Sequence, residues 1–206
     1  SFQVRAATQA EATEHLEKLR PKNSTTPPKN TQTKDPAPLS TLQHAQLDAY
    51  GAKTVNAAEL QKILPPENRV DGKGVPFDFY DAFMKETGLN DTMKALLAEP
   101  RFHSDETWRN NSLKKFRRVL RDTPLPPALA QRIADVESSF PPGTVLRLRS
   151  STNNEDLEGF NGAGLYASRT WNPNAPSTSQ KGSFADTMKD VWSSLWSFRA
   201  VEERTF

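Results

Sequence analysis

The chain has 206 residues, enough for one domain with a hydrophobic core or for a domain with a long appendage. Its 27 basic and 25 acidic residues leave a formal net charge of +2, too small to make a nucleic-acid or membrane surface the first expectation. The absence of cysteine excludes disulfides, thiol catalysis and cysteine-ligated metal sites, and no stretch approaches the about 20 apolar residues that span a bilayer. We therefore expect a soluble, cytoplasmic protein, since a cysteine-free chain is compatible with a reducing compartment.

The first 41 residues are predicted to form a flexible extension. Residues 10–19 (AEATEHLEKL) favour a short helix, and residues 21–38 (PKNSTTPPKNTQTKDPAP) are rich in Pro, Thr, Lys and Asn. This composition buries too little apolar surface to offset the entropy of ordering the chain, so we expect the segment to be mobile or draped over the domain. The folded domain is predicted at residues 42–206.

Apolar periodicity and end signals predict five helices in that domain. Ser104 and Ser183 are good N-caps, and Gly88 or a proline pair marks several ends. The predicted helices cover residues 54–64, 77–87, 104–122, 128–140 and 184–198.

A change of periodicity predicts a β-hairpin. Residues 144–149 alternate, with Leu146 and Leu148 on one face and Arg147 and Arg149 on the other. The polar loop SSTNNEDLEGFNGAG follows, and residues 165–171 favour a return strand. The predicted fold class is α+β, with helices packed on a mixed or antiparallel sheet.

The loop after this strand has the composition of a phosphate site. Arg149 is followed at once by Ser150, Ser151 and Thr152, and glycines occur at positions 159, 162 and 164. A guanidinium matches phosphate oxygens, hydroxyls add donors, and glycines let the backbone approach closely. An edge-strand arginine followed by an ordinary polar loop would explain the same residues.

Lys53 is the second candidate. It follows Gly51 and Ala52 in a turn that leads into a predicted helix, where a lysine adds charge to exposed N–H donors. A surface lysine is the alternative. The spacing differs from that of a Walker A loop, in which the lysine follows a glycine directly.

A basic stripe lies on the predicted helix 104–122. Lys114, Arg117, Arg118 and Arg121 are spaced i, i+3, i+4 and i+7 and therefore share a face. The stripe could recruit a partner or nucleic acid, but a solvated helix face explains it too, and no aromatic residue interleaves with it for base stacking. The three histidines lack metal-ligand spacing, so no metal site is predicted within the chain.

Four segments resemble a known family. Residues 146–171, LRLRSSTNNEDLEGFNGAGLYASRTW, resemble the signature of the nucleotide-binding domain shared by phosphoenolpyruvate synthase, pyruvate phosphate dikinase and related water dikinases: a strand ending in V-R-S-S, then T-x-x-E-D-L, then F-x-G. YGAKTVNAAEL at 50–60, VPFDFYDAFMKETGL at 75–89 and WSSLWSFRAVEERTF at 192–206 resemble further family segments in the same order. The resemblance covers most of residues 48–206 and none of residues 1–40.

The resemblance implies an ATP-grasp-like fold. Lys53 and Arg149 would contact the phosphates and act in catalysis, Ser150 and Ser151 would bind the nucleotide, and Gly162 would lie in the covering loop. ATP and Mg²⁺ are the implied cofactors, with metal ligands expected beyond Phe206.

As a function, the resemblance implies the ATP-binding part of a dikinase-type phosphotransferase. Phosphate would pass from ATP to a histidine and then to pyruvate or another acceptor. The implied partners are the C-terminal half of the grasp domain and a phosphohistidine domain, so we expect a truncated chain that is inactive alone. The alternative is a non-catalytic scaffold that binds a partner through the basic stripe.

Overall fold

The computed structural model describes residues 4–19, 27–154, 162, 164–175 and 182–205. Within these ranges the chain is rich in helix, with short antiparallel strand pairs, in agreement with the α+β expectation. The helices and strands are, in chain order, α1 (Gln9–Leu19), β1 (Ala37–Pro38), α2 (Leu47–Tyr50), α3 (Ala52–Ile63), β2 (Lys73–Gly74), α4 (Phe77–Glu86), α5 (Leu89–Ala98), α6 (Pro100–Ser104), α7 (Glu106–Asp122), α8 (Pro127–Ser138), β3 (Leu146–Arg149), β4 (Ser168–Trp171), α9 (Phe184–Ser193) and α10 (Phe198–Thr205).

The predicted hairpin is confirmed. Strands β3 and β4 pair antiparallel, with Leu146 opposite Trp171 and Arg149 opposite Ser168. Strands β1 and β2 form a second antiparallel pair, so the described strands make two separate two-stranded sheets. The mixed sheet that was one of the two expectations is not seen in these ranges.

The main core lies between the helices and the β3–β4 hairpin. Trp171 on β4 packs edge-on against Phe184 of α9, at 5.4 Å between ring centroids. The core residues are apolar side chains from α4, α5, α7, α8, α9 and β4, namely Phe79, Phe83, Met84, Leu89, Phe116, Leu120, Leu129, Ile133, Val136, Trp171, Phe184 and Met188. Helix α9 therefore connects the hairpin to α7 and α8.

Two predicted helix ends are corrected. Ser104 ends α6, and the N-cap of α7 is Asp105, whose side chain accepts from the backbone N–H of Trp108. The predicted helix 184–198 is interrupted by a 3-10 turn at Ser194–Trp196. At this point the Ser194 side chain competes with the helical hydrogen bonds of the backbone. Its hydroxyl donates to the Val191 carbonyl and accepts from the backbone N–H of Ala167. By contrast, Ser183 caps α9 with a full capping box, as predicted.

The segment that precedes the domain was expected to be mobile or draped over the domain. Residues 27–41, here named the N-terminal arm, lie against the domain, which corresponds to the second of these two expectations. Lys29 pairs with Asp81, Lys34 pairs with Asp78, and the carbonyl of Asp35 accepts from the hydroxyl of Tyr50. Ion pairs and backbone bonds supply the ordering that the poorly apolar composition lacks. Helix α1 has no buried residue.

None of the helices described is long and apolar enough to cross a membrane.

Candidate functional site

The N-terminus of α3 is joined to the segment that follows β3. The backbone N–H of Ala52 donates to the carbonyl oxygen of Thr152 at 3.0 Å, and the N–H of Thr54 donates to the Oγ of Ser151 at 3.0 Å. The second bond spans 97 positions of sequence. Because the two bonds flank Lys53, this lysine lies beside the loop that begins after Arg149.

These bonds also correct one expectation. The N–H donors at the start of α3 were expected to be exposed and available to a phosphate. Two of them, on Ala52 and Thr54, instead donate to the loop, and the Ser151 side chain acts as a cap contributed from a distant segment. A bound phosphate would therefore be held mainly by side chains and by the loop.

Gly51 makes the close approach possible. Its φ is +82°, which L side chains rarely adopt, and a Cβ placed there would lie 2.5 Å from the Ser151 carbonyl carbon. Ala52, in contrast, begins the helix, and no non-glycine residue among those described has a positive φ. The turn therefore needs a glycine at position 51 and accepts an alanine at position 52.

Arg149 and Lys53 are both exposed and lie near one another. A path from the Cα of Lys53 to the Cα of Arg149 runs along covalent bonds and across the Thr54–Ser151 hydrogen bond, and its length sets an upper limit of about 15 Å on the distance between these two atoms. Arg147 shares the exposed face of the strand, and its guanidinium donates to the Oγ1 of Thr170.

Ser150 is placed differently from its neighbours. It is 6% exposed, and its Oγ has no hydrogen-bond partner among the residues that the structure describes. A buried hydroxyl without a partner costs free energy, which makes such a group informative when it lies in a candidate site. Gly162 is buried, and its carbonyl accepts from the N–H of Leu165.

Part of the family signature lies outside the described residues, namely Glu155, Asp156, Leu157, Gly159 and Phe160. No group of three or more potential metal ligands occurs in the described ranges. What the structure brings together is therefore the exposed cations Lys53 and Arg149 and the half-buried hydroxyl of Ser151, with Ser150 buried beside them. This set is suited to holding phosphate oxygens rather than to moving protons.

One contact of the loop was not anticipated from the sequence. The side-chain amide of Asn153 donates to the carbonyl of Pro28 at 2.9 Å and to that of Pro27 at 3.3 Å. The N-terminal arm therefore touches the loop directly. No local pattern signals this contact, since both acceptors are backbone carbonyls more than 120 positions away in the sequence.

A comparison with known families matches most of the chain. A model of the AMP/ATP-binding domain of pyruvate phosphate dikinase matches residues 47–205. The chain belongs to this family. The match begins just before the turn that carries Lys53 and includes the whole β3–β4 hairpin, so both halves of the candidate site lie inside the dikinase-family domain.

The basic stripe lies elsewhere in this dikinase-family domain. Its residues, with Lys115, line a groove on α7 to which Lys53, Arg149, Ser150 and Ser151 do not contribute.

Proposed function

We propose that this dikinase-family domain binds the phosphate chain of ATP between the N-terminus of α3 and the loop after β3. Lys53 supplies a point charge, Arg149 a planar fork of donors, and Ser150 and Ser151 short hydroxyl contacts. Gly162 belongs to the loop that covers the nucleotide. The observation that carries the proposal is the pair of hydrogen bonds from Ala52 and Thr54 to the loop, because they hold the two cation-bearing segments side by side.

The proposed reaction is phosphoryl transfer from ATP to a histidine on a separate domain, and from there to pyruvate or another acceptor. In such reactions the protein mainly positions the reactants and neutralises charge. Mg²⁺, when bound with the nucleotide, would neutralise part of the phosphate charge, and its ligands are proposed to lie beyond Phe206. Lys53 and Arg149 would hold the phosphate oxygens in place while the phosphoryl group moves.

Calorimetric titration of ATP, with and without Mg²⁺, tests the binding claim. Arg149→Ala should weaken ATP binding by about tenfold or more, as expected for a charge-assisted bidentate contact. Arg147→Ala is the matched control, because Arg147 is an exposed arginine on the same face of the same strand. We expect the control to bind ATP within about twofold of the unchanged chain.

Two results would count against the proposal. One is an equal loss of affinity in both variants, which would indicate a general charge effect rather than a site at Arg149. The other is the absence of ATP binding both by this chain and by a longer form of the protein that continues past Phe206.

A further inference from the structure

The outer face of α7 carries a groove that, within the described part of the chain, is lined by five cations. The groove has a volume of about 310 Å³, and its lining residues are Lys114, Lys115, Arg117, Arg118 and Arg121. This volume lies at the lower end of the range found for small-molecule sites, about 300–1,000 Å³. A concave surface with five positive charges concentrates the field and attracts anions.

Most of these charges are not neutralised by the protein. Lys114, Lys115 and Arg118 are exposed, and none of them makes an ion pair with a carboxylate in the described part of the chain. Asp190 on α9 accepts a hydrogen bond from Arg169, and its carboxylate lies 3.8 Å from the guanidinium of Arg121. The negative charge of Asp190 is therefore shared between Arg121 and Arg169.

Arg117 provides an independent observation. Its Nε is buried and has no hydrogen-bond acceptor among the described residues. Burial lowers the pKa of Arg117, and the like charge of Arg121 lowers it further, while Asp190 acts in the opposite direction. An anion in the groove would relieve the repulsion between the guanidinium groups of Arg117 and Arg121.

The groove is held in shape by the packing between α7 and α9. The ammonium group of Lys189 donates to the carbonyl of Arg121 at 2.6 Å and to that of Thr123 at 3.3 Å, which fixes the C-terminal end of α7. Behind the groove, Phe116 and Leu120 are buried in the core. A preformed site loses less conformational entropy on binding than a mobile one.

We propose that this groove binds a compact ligand that carries several phosphate charges. Arginine forks and lysines match phosphate oxygens, and no aromatic side chain of the described residues lines the groove to stack on bases, which disfavours single-stranded nucleic acid. The residues of the proposed ATP site do not line this groove. The proposal therefore stands independently of the proposed function.

Titration with tripolyphosphate tests the proposal. The titration is made in an Arg149→Ala background, so that loss of the proposed ATP contact cannot be mistaken for loss of the groove. The groove variant carries Lys114→Gln, Lys115→Gln and Arg118→Gln, three exposed positions whose change should leave the fold intact, as checked by circular dichroism. The control variant carries Lys62→Gln, Lys85→Gln and Lys94→Gln, which remove the same charge from exposed positions on α3, α4 and α5.

We expect the groove variant to bind tripolyphosphate about tenfold or more weakly, and the control to change affinity by less than about threefold. Equal affinity in the two variants would overturn the proposal, as would the absence of tripolyphosphate binding before any groove residue is changed. A 12-nucleotide single-stranded RNA is the second probe. If the RNA binds more tightly than tripolyphosphate and loses affinity in the groove variant, the assignment to a compact ligand is wrong; weaker RNA binding supports it.

Discussion

At the scale of single residues, Gly51 decides how closely α3 approaches the loop after β3. A side chain at this position would meet the backbone carbonyl of Ser151 as well as its hydroxyl, so a rotamer change of Ser151 alone cannot relieve the contact. Gly88 offers a comparison, because its φ is also positive, at +73°, but nothing lies within 4 Å of a Cβ placed there.

Gly51→Ala should therefore be more destabilising than Gly88→Ala. The change at Gly88 costs the backbone strain alone, roughly 1–2 kcal/mol, and the change at Gly51 adds the displacement of Ser151. Urea unfolding of both variants measures the difference. Equal losses of stability would mean that the loop moves away from α3 without cost.

Ser151 is expected to have two effects that can be separated. Ser151→Ala removes the acceptor for the Thr54 N–H, which should cost about 1 kcal/mol of stability, as for other lost caps. It should also weaken ATP binding, because the hydroxyl lies in the proposed phosphate site. Ser183→Ala, at the cap of α9, should cost similar stability and leave ATP affinity unchanged. If both variants bind ATP equally well, Ser151 is a structural cap only.

At the scale of elements, α4 is tied to α8 and to the N-terminal arm through one carboxylate. Asp78 is 4% exposed and accepts from Arg132 on α8 and from Lys34 in the arm. Burial by itself would raise the pKa of Asp78, but the hydrogen bonds from Lys34 and Arg132 outweigh burial and lower it. The Arg132 guanidinium also lies 4.1 Å from the centre of the Phe79 ring.

The lowered pKa predicts a specific dependence of stability on pH. Asp78 contributes stability above the unfolded-state pKa of about 3.9, and that contribution is lost as the pH falls through the lower, folded-state value. Asp78→Asn should therefore destabilise the chain at pH 7 by about 1–3 kcal/mol, and the difference should shrink toward pH 3. Urea unfolding across this pH range makes the measurement. A difference that stays constant with pH would contradict the role of the charge.

The element scale also shows what the sequence could predict. Apolar periodicity, helix propensity and end signals located α3, α4, α7, α8 and α9 and the β3–β4 hairpin to within a few residues. Strands β1 and β2 and helices α2, α5, α6 and α10 were not predicted. The shortest of them are too short to show a periodicity of their own. The 3-10 turn that ends α9 was also missed, because it depends on a tertiary contact. The Ser194 hydroxyl accepts a hydrogen bond from the backbone N–H of Ala167, 27 positions earlier in the sequence.

At the scale of the whole molecule, the N-terminal arm belongs with the domain. The arm has few apolar residues, and its composition contains no information about the ion pairs and backbone hydrogen bonds that it makes with the domain. The same limit applies to the candidate site. Lys53 and Arg149 could be chosen from the sequence and its family resemblance. The hydrogen bond from the Thr54 N–H to the Ser151 hydroxyl, which joins their two segments, could not, because its partners lie 97 positions apart in the sequence.

Truncation tests the role of the arm. Removing residues 1–35 eliminates the contacts of Lys29, Lys34 and Asp35 with the domain, and should lower Tm by about 5–10 °C relative to removal of residues 1–26. Thermal unfolding followed by circular dichroism compares the two. Identical Tm values would show that the arm contributes no net stability.

The central claim is that Lys53 and Arg149 hold the same triphosphate. A double-mutant cycle on ATP affinity, with Lys53→Ala, Arg149→Ala and the combined change, tests this most directly. If both cations contact one ligand, their effects should not add, and the coupling should amount to about 0.5–3 kcal/mol. Strictly additive effects, or a Lys53→Ala variant with unchanged affinity, would contradict the claim that the turn before α3 and the loop after β3 form one nucleotide site.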